Sequence, residues 1–154
     1  MTYSIEKAKE TDLPQILALQ KRAYQQEAEL YNDFSIQPLQ QNLESTQKEW
    51  QAGTILKAMQ DGRIIGSVRA HETDSVCFIG KLIVEPSNQN NGIGRALLAA
   101  IEQHFSSAVR YELFTGHRSE KNIALYKKCG YTAYKTEKAT SNLQFVFLQK
   151  HKLS

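Results

Sequence analysis

Residues 82–98 read LIVEPSNQNNGIGRALL, and the fold turns on how this stretch is understood. An apolar run ends at Pro86, and an amide-rich loop then carries Gly92 and Gly94 one residue apart. Ile93, Leu97, Leu98, Ile101 and Phe105 follow at helical spacing. A strand, a glycine loop and a helix in that order present the first amides of the helix without intrahelical partners. Those amides and the positive end of the helix dipole make an anion site, and the glycines let a phosphate approach the backbone. Arg95 adds a charge in the first turn, where it opposes the dipole unless an anion is near.

Two well-known phosphate loops do not fit. A P-loop needs lysine and a hydroxyl after its second glycine, and here Gly94 is followed by Arg95 and Ala96. A dinucleotide fingerprint needs a third glycine in the first β-α unit, where this sequence has Leu97 and where several strands already precede it. On the loop alone, a phosphate site and a ligand-free turn into a helix remain equally open.

Working outward, the run 76–84 is nearly continuous in apolar residues apart from Lys81, as expected of a strand buried on both faces. Upstream, 54–60 and 63–72 flank Asp61-Gly62, a two-residue hairpin turn. Residues 3–8 alternate as an opening strand. Apolar spacing predicts helices over 12–30, with Thr11 as N-cap, and over 39–52, stopped by Gly53. Downstream come a strand at 109–115, a short helix over 119–128 closed by Gly130, and strands at 131–137 and 143–149. The order β-α-α-β-β-β-α-β-α-β-β gives one mixed α/β domain over 1–154, with no internal repeat or linker.

Composition agrees with a globular chain: 154 residues, 41% hydrophobic and 23% charged. The net charge of +3 is spread along the chain, so no basic face points to nucleic acid. MTYSIEKAKE lacks the apolar core of a signal peptide, and no run approaches a membrane span. Cys77 and Cys129 have no metal spacing, and a reduced cytoplasmic protein without metal is expected.

The segment 82–98 resembles the acetyl-CoA segment of the GNAT superfamily of N-acyltransferases, where an apolar strand, V-x-P, a short loop and Q/R-x-x-G-x-G/A lead into a helix. Gln89, Gly92 and Gly94 fill the patterned positions. Asn122-Ile-Ala-Leu-Tyr126-Lys-Lys-Cys-Gly130-Tyr131 is similar to the second family motif, in family order and at about the family separation. The resemblance covers essentially the whole chain. It implies a central mixed sheet of about seven strands with about four helices, splayed at the acyl-CoA site. It also implies an N-acetyltransferase that moves an acetyl group from acetyl-CoA to a primary amine by direct attack in a ternary complex.

By that resemblance, the amides of Asn90, Asn91, Gly92, Ile93, Gly94 and Arg95 hold the pyrophosphate. Main-chain groups of Leu82 and Val84 take the pantetheine arm like an added strand, and an amide near Ile83 or Val84 meets the oxyanion. Tyr126 is the implied general acid for a thiolate of pKa near ~8.5, and Asn122, one turn earlier, contacts the pantetheine or sulfur side. The general base stays open among Glu112, Glu72, His71, His117 and a water chain; spacing back from Tyr126 puts Phe114, not Glu112, at the usual carboxylate position. Glu27, Tyr31 and Phe34 mix carboxylate and aromatics in a way that suits a cationic acceptor, either a small amine or a peptide or protein amine. Homodimers through an edge strand are frequent in this architecture, and no patch in the sequence marks one. The competing reading is a module of the same fold that senses acyl-CoA without catalysis.

Overall fold

The computed structural model describes residues 2–152. Its strands are β1 (Ser4–Lys7), β2 (Thr54–Gln60), β3 (Arg63–Thr73), β4 (Val76–Val84), β5 (Arg110–Gly116), β6 (Thr132–Lys138) and β7 (Gln144–His151). They form one seven-stranded sheet in the order β1-β2-β3-β4-β5-β7-β6. Neighbours are antiparallel except β4 and β5, which are parallel. Asp61 and Gly62 turn the β2–β3 hairpin at φ 52° and 76°, the left-handed pair that suits twisting strands.

The helices are α1 (Leu13–Tyr31), α2 (Gln37–Gln40), α3 (Leu43–Ala52), α4 (Ile93–His104) and α5 (Glu120–Lys128). Among the described residues there are five rather than about four, because the helix expected over 39–52 is broken. Gln41 turns extended (φ −61°, ψ 138°). Asn42 then caps α3, its Oδ1 accepting from Ser45 N at 2.9 Å. The buried Gln41 side chain is drawn inward by contacts described below. The start of α1 also differs from the expected Thr11 cap. A 3-10 turn over Glu10–Asp12 precedes it, closed by Asp12 Oδ2 accepting from Lys9 N at 2.8 Å.

Alternation along the strands splits the apolar residues between the two faces of the sheet. Leu56, Ile65 and Val68 pack with Leu97, Leu98 and Ile101 of α4. Ile55, Ile64 and Ile83 pack with Leu13, Ile16 and Leu19 of α1. Each of these fully buried side chains contributes about 1.5–3 kcal/mol relative to exposure.

The ladder is irregular at three places, in the β2–β3, β3–β4 and β6–β7 pairs, and the one that shapes the site is in β4. Ser67 pairs with Ile83 and Arg69 with Gly80, so two steps along β3 match three along β4. The extra residue is a bulge, and Lys81 within it adopts φ 48°. β4 also leaves β5 here. The two pair only over Val76–Phe78 against Arg110–Glu112, after which β4 follows β3 to Val84 and β5 follows β7 to Gly116. A wedge with an unpaired strand edge on each side results.

Gly53, between α3 and β2, is packed against β3: a Cβ there would overlap the Ala70 carbonyl oxygen and lie 3.1 Å from His71 Cβ. Gly53→Ala should therefore destabilise the protein by about 1–3 kcal/mol in urea unfolding. Gly80→Ala, where a Cβ meets nothing within 4 Å, should cost much less.

Candidate active site

A cavity of about 980 Å³ occupies the wedge and continues between the sheet and the first three helices. Its rear wall is β4 and β5, and Tyr126 of α5 closes one end. Of the residues expected at an acyl-donor site, Leu82 and Tyr126 line this cavity, and the others lie on β4, on the loop into α4 and on α5. Glu85 N donates to Ile65 O of β3 at 2.8 Å. By strand alternation, the main-chain groups of Leu82 and Val84 then point the other way, into the gap. Gln89 supports this edge, its Nε2 donating to Val84 O at 3.3 Å. Ile83 is buried against α1.

Beyond β4, Asn90 and Gly92 take φ 69° and 79°, which turns the loop sharply into α4. The first bond of that helix runs from Ala96 N to Gly92 O at 3.1 Å, so the amides of Ile93, Gly94 and Arg95 have no partner inside it. Gly92 is required by its left-handed backbone. At Gly94 a Cβ would make only ordinary contacts, 3.6 Å from Leu125 and 3.8 Å from Val84, so internal packing does not demand glycine there. Asn91 and Arg95 are exposed beside these amides.

The chain belongs to the acetyltransferase (GNAT) family, whose profile matches residues 3–131. It is 29% identical over 129 residues to the UPF0157 protein YqkA of Bacillus subtilis (strain 168), an alignment that covers 84% of this chain. The chain spans 37% of the length of that curated relative. Its fold matches the ribosomal-protein-S18-alanine N-acetyltransferase of Escherichia coli with a TM-score of 0.82 at 16% identity, over 97% of this chain and 94% of that one. The PaiA N-acetyltransferase of Thermoplasma acidophilum, solved in complex with coenzyme A, matches at the same TM-score and identity, over 99% and 100%. At these identities the structural likeness is one of fold. Among the described residues of the GNAT chain, no helix is long and apolar enough to cross a membrane, and no group of three or more His, Cys, Asp or Glu could hold a metal ion.

Around the cavity of this GNAT chain, Glu27 of α1 faces α5. Ser119 Oγ donates to Glu27 Oε1 at 2.6 Å, and Asn122 Nδ2 lies 3.4 Å from the same oxygen and from Thr115 Oγ1. Burial raises the Glu27 carboxyl above the ordinary carboxylate value, only partly offset by the Ser119 bond. Burial likewise raises the Tyr126 phenol, with Tyr24 and Glu27 adding to it. The Tyr126 hydroxyl has no hydrogen-bond partner among the described residues. Tyr31 lines the cavity too, its hydroxyl accepting from Arg118 N at 2.9 Å, and it rests on Gly116, where a Cβ would overlap that hydroxyl.

Three expected site residues lie elsewhere. Glu112 is outside the cavity lining: it pairs with Arg110 Nη1 at 2.7 Å and accepts a short bond from the Tyr134 hydroxyl. Burial alone would raise its carboxyl, but Tyr134 and Arg110 hold it below the ordinary value, which makes it a poor base. Glu72 is exposed and pairs in register with Cys77, whose side chain is in the α4-side core. Alternation therefore points it away from His71, which lines the cavity. Phe34 is 49% exposed and outside the lining, although its neighbours Asp33 and Ser35 belong to it. Of the two histidines, His71 stacks on Phe78 at 5.4 Å, and His117 Nδ1 accepts from Gln144 N at 3.0 Å.

At the far end the structure assembles a polar cluster that the sequence reading did not gather. Arg69 of β3 and Lys81 of the bulge share one carboxylate, Glu49 of α3, at 2.9 and 3.1 Å. Gln41 donates to Glu49 at 2.9 Å, Arg69 Nη2 donates to Gln20 at 2.9 Å, and Arg69 Nε is buried without a partner. Burial would raise the Glu49 carboxyl, yet Gln41, Arg69 and Lys81 keep it below its ordinary value. Burial lowers the Lys81 ammonium, aided by Arg69 and opposed by Glu49. The only sequence signal for this cluster is Lys81, a lone charge in an apolar strand.

Glu49→Ala would leave both cations without a carboxylate. Because Glu49 is 35% exposed, the cost should be about 2–3 kcal/mol, less than the ~3–5 kcal/mol of a fully buried pair. The carboxyl is held low in the folded state, so its contribution is present at neutral pH and is lost as pH falls through the folded value. The deficit of the variant, measured by urea unfolding, should therefore narrow below about pH 4.

Proposed function

We propose that this GNAT chain transfers an acetyl group from acetyl-CoA to a primary amine in a ternary complex. One observation carries the reading: β4 parts from β5 and leads into the unpartnered amides of α4, and the wedge it leaves belongs to a cavity lined by both Tyr126 and Glu27. The donor side has what a phosphate-bearing acyl carrier needs. The amides of Ile93, Gly94 and Arg95 receive its anionic group, and the edge of Leu82 and Val84 that faces away from β3 aligns its amide-bearing arm as an added strand. Acetyl-CoA supplies the acetyl group as a thioester, already activated toward an amine.

Glu27 receives the acceptor. As a carboxylate it holds an ammonium, and its desolvation makes it a stronger base than an exposed glutamate, so it takes the proton that the amine must lose before attack. Ser119 and Asn122 orient the carboxylate from α5. A main-chain amide near Ile83 or Val84 stabilises the developing oxyanion, and Tyr126 donates its proton to the departing sulfur as the carbon–sulfur bond breaks. Burial that disfavours phenolate keeps this hydroxyl protonated, and the same burial strengthens the thiolate's demand for a proton. No side-chain nucleophile is needed, because the amine reacts directly with the thioester. The two free thiols, Cys77 and Cys129, suit a reducing, cytoplasmic setting.

Thiol release against a panel of primary amines tests the function, and an absence of acetyl-CoA binding by calorimetry would overturn it. Tyr126→Phe should lower turnover about 10²-fold or more with acetyl-CoA affinity nearly unchanged. Turnover of the wild type should show no alkaline loss from this group up to about pH 10, since its phenol is raised above its ordinary value. Glu27→Gln separates function from stability. A buried carboxyl with a raised folded value binds protons more readily than in the unfolded chain, so it destabilises the fold increasingly as pH rises. The variant should therefore melt about 2–4 °C higher at pH 7, the shift of about 1 kcal/mol in a chain of this size, while turnover falls about 10²-fold.

A further inference from the structure

The cavity is bipolar, and its two ends take different charges. At the Tyr126 end the ionisable groups are carboxylates: Glu27, and Asp33 toward the rim. At the other end are Arg69 and Lys81 with Glu49 between them, and Lys48 lines the cavity from the same helix as Glu49. Tyr24 lines the same cavity as both ends. Along α1, Gln20 meets Arg69 and Glu27 meets Ser119, with Tyr24 about one helical turn from each.

The cationic end is short of negative charge. Two cations, Arg69 at 7% and Lys81 at 14% side-chain exposure, share one carboxylate. Among the described residues Lys81 Nζ has Glu49 as its one hydrogen-bond partner, so two of its three donors are unspent. Arg69 Nε has no partner among the described residues. A surplus positive charge in a desolvated place is costly unless an anion arrives. Lys48 is exposed and pairs with Glu44 at 3.8 Å, so the buried surplus is one unit, which matches a carboxylate rather than a phosphate dianion. Much of the remaining wall is apolar or aromatic: Phe78, Phe114, Leu143 and Phe145, with Tyr24 and Tyr31. Phe114 is half exposed and packs against Phe145 at 4.7 Å.

We infer that the acceptor is a free amino acid with an apolar or aromatic side chain. Its ammonium sits at Glu27, its carboxylate sits at Lys81 beside Arg69, and its side chain lies on the phenylalanine wall. The inference rests on reading the cavity as the acceptor side of an acetyltransferase, and it specifies which amine enters. A plain amine leaves the Lys81 end unmatched. An internal or N-terminal residue of a polypeptide has an amide where the free amino acid has its carboxylate.

The test is thiol release with acetyl-CoA and matched pairs: phenylalanine against phenethylamine and phenylalaninamide, and leucine against 3-methylbutylamine. The carboxylated member should be preferred by about tenfold to hundredfold in kcat/KM, the worth of a charge-assisted hydrogen bond. Lys81→Met should bring that ratio close to one, mainly through KM for the amino acid. Equal use of both members overturns the inference, as does a Lys81→Met variant that depresses both members alike. Acetyl-CoA calorimetry on the same protein keeps the two failures apart: no binding removes the acetyltransferase reading, whereas binding with turnover of the plain amines removes only the amino acid. Should no amine turn over, the melting temperature of the CoA-saturated protein decides. A larger rise with phenylalanine than with phenethylamine supports the inference, and no rise overturns it.

Discussion

β4 has to satisfy two neighbours whose directions differ, and it does so by carrying one residue more than β3 can match. Up to Phe78 the strand lies between β3 and β5 as an ordinary interior strand. At Lys81 the extra residue bends and twists it, and from there it stays with β3 alone. Three features follow from that insertion. The edges of β4 and β5 lose each other, leaving polar backbone groups that want partners. The wedge opens over Tyr126. The left-handed backbone at residue 81 also sends a lysine toward α3, where a regular strand in this run would carry an apolar side chain.

The two halves of the site are built from different materials. On the loop side the groups on offer are main-chain amides at the start of α4 and the main-chain edge of Leu82 and Val84. On the cavity side nearly everything is side chain: Glu27, Tyr24, Arg69, Glu49 and the aromatic wall. Both depend on the same strand, so a change in the register of β4 would alter them together. The polar cluster around Glu49 does the matching work of holding α3 to the sheet, through Gln41 on one side and Arg69 and Lys81 on the other.

Most of the architecture was legible because it is local. The strand, loop and helix at 82–98, the Asp61-Gly62 turn and the order of elements could all be read from spacing and turn chemistry. The break at Gln41 was not, since Leu39, Leu43 and Trp50 keep helical spacing across it. What decides the break is the Asn42 cap and a buried glutamine whose partners come from α1 and α3. The same limit explains the site. Glu27 was recognised as a carboxylate among aromatics, but its encounter with Ser119 and Asn122 spans more than ninety residues of chain, and no local pattern announces it. Glu112 and Glu72 looked eligible as bases because a strand position gives a face only relative to neighbours. Arg110 and Tyr134 occupy the first, and the second lies on the far face of the sheet.

A contact made by backbone amides does not depend on which side chains decorate the loop, provided the left-handed turn at Gly92 is kept. Asn91 and Arg95 can then vary without moving the amides, while Asn90 is held to residues that tolerate its left-handed backbone, and any replacement on the cavity walls changes shape or charge directly. Over evolutionary time such a molecule can drift in the acceptor it recognises while holding the proposed acyl donor fixed. In an engineering setting, the two preferences can be altered in separate libraries.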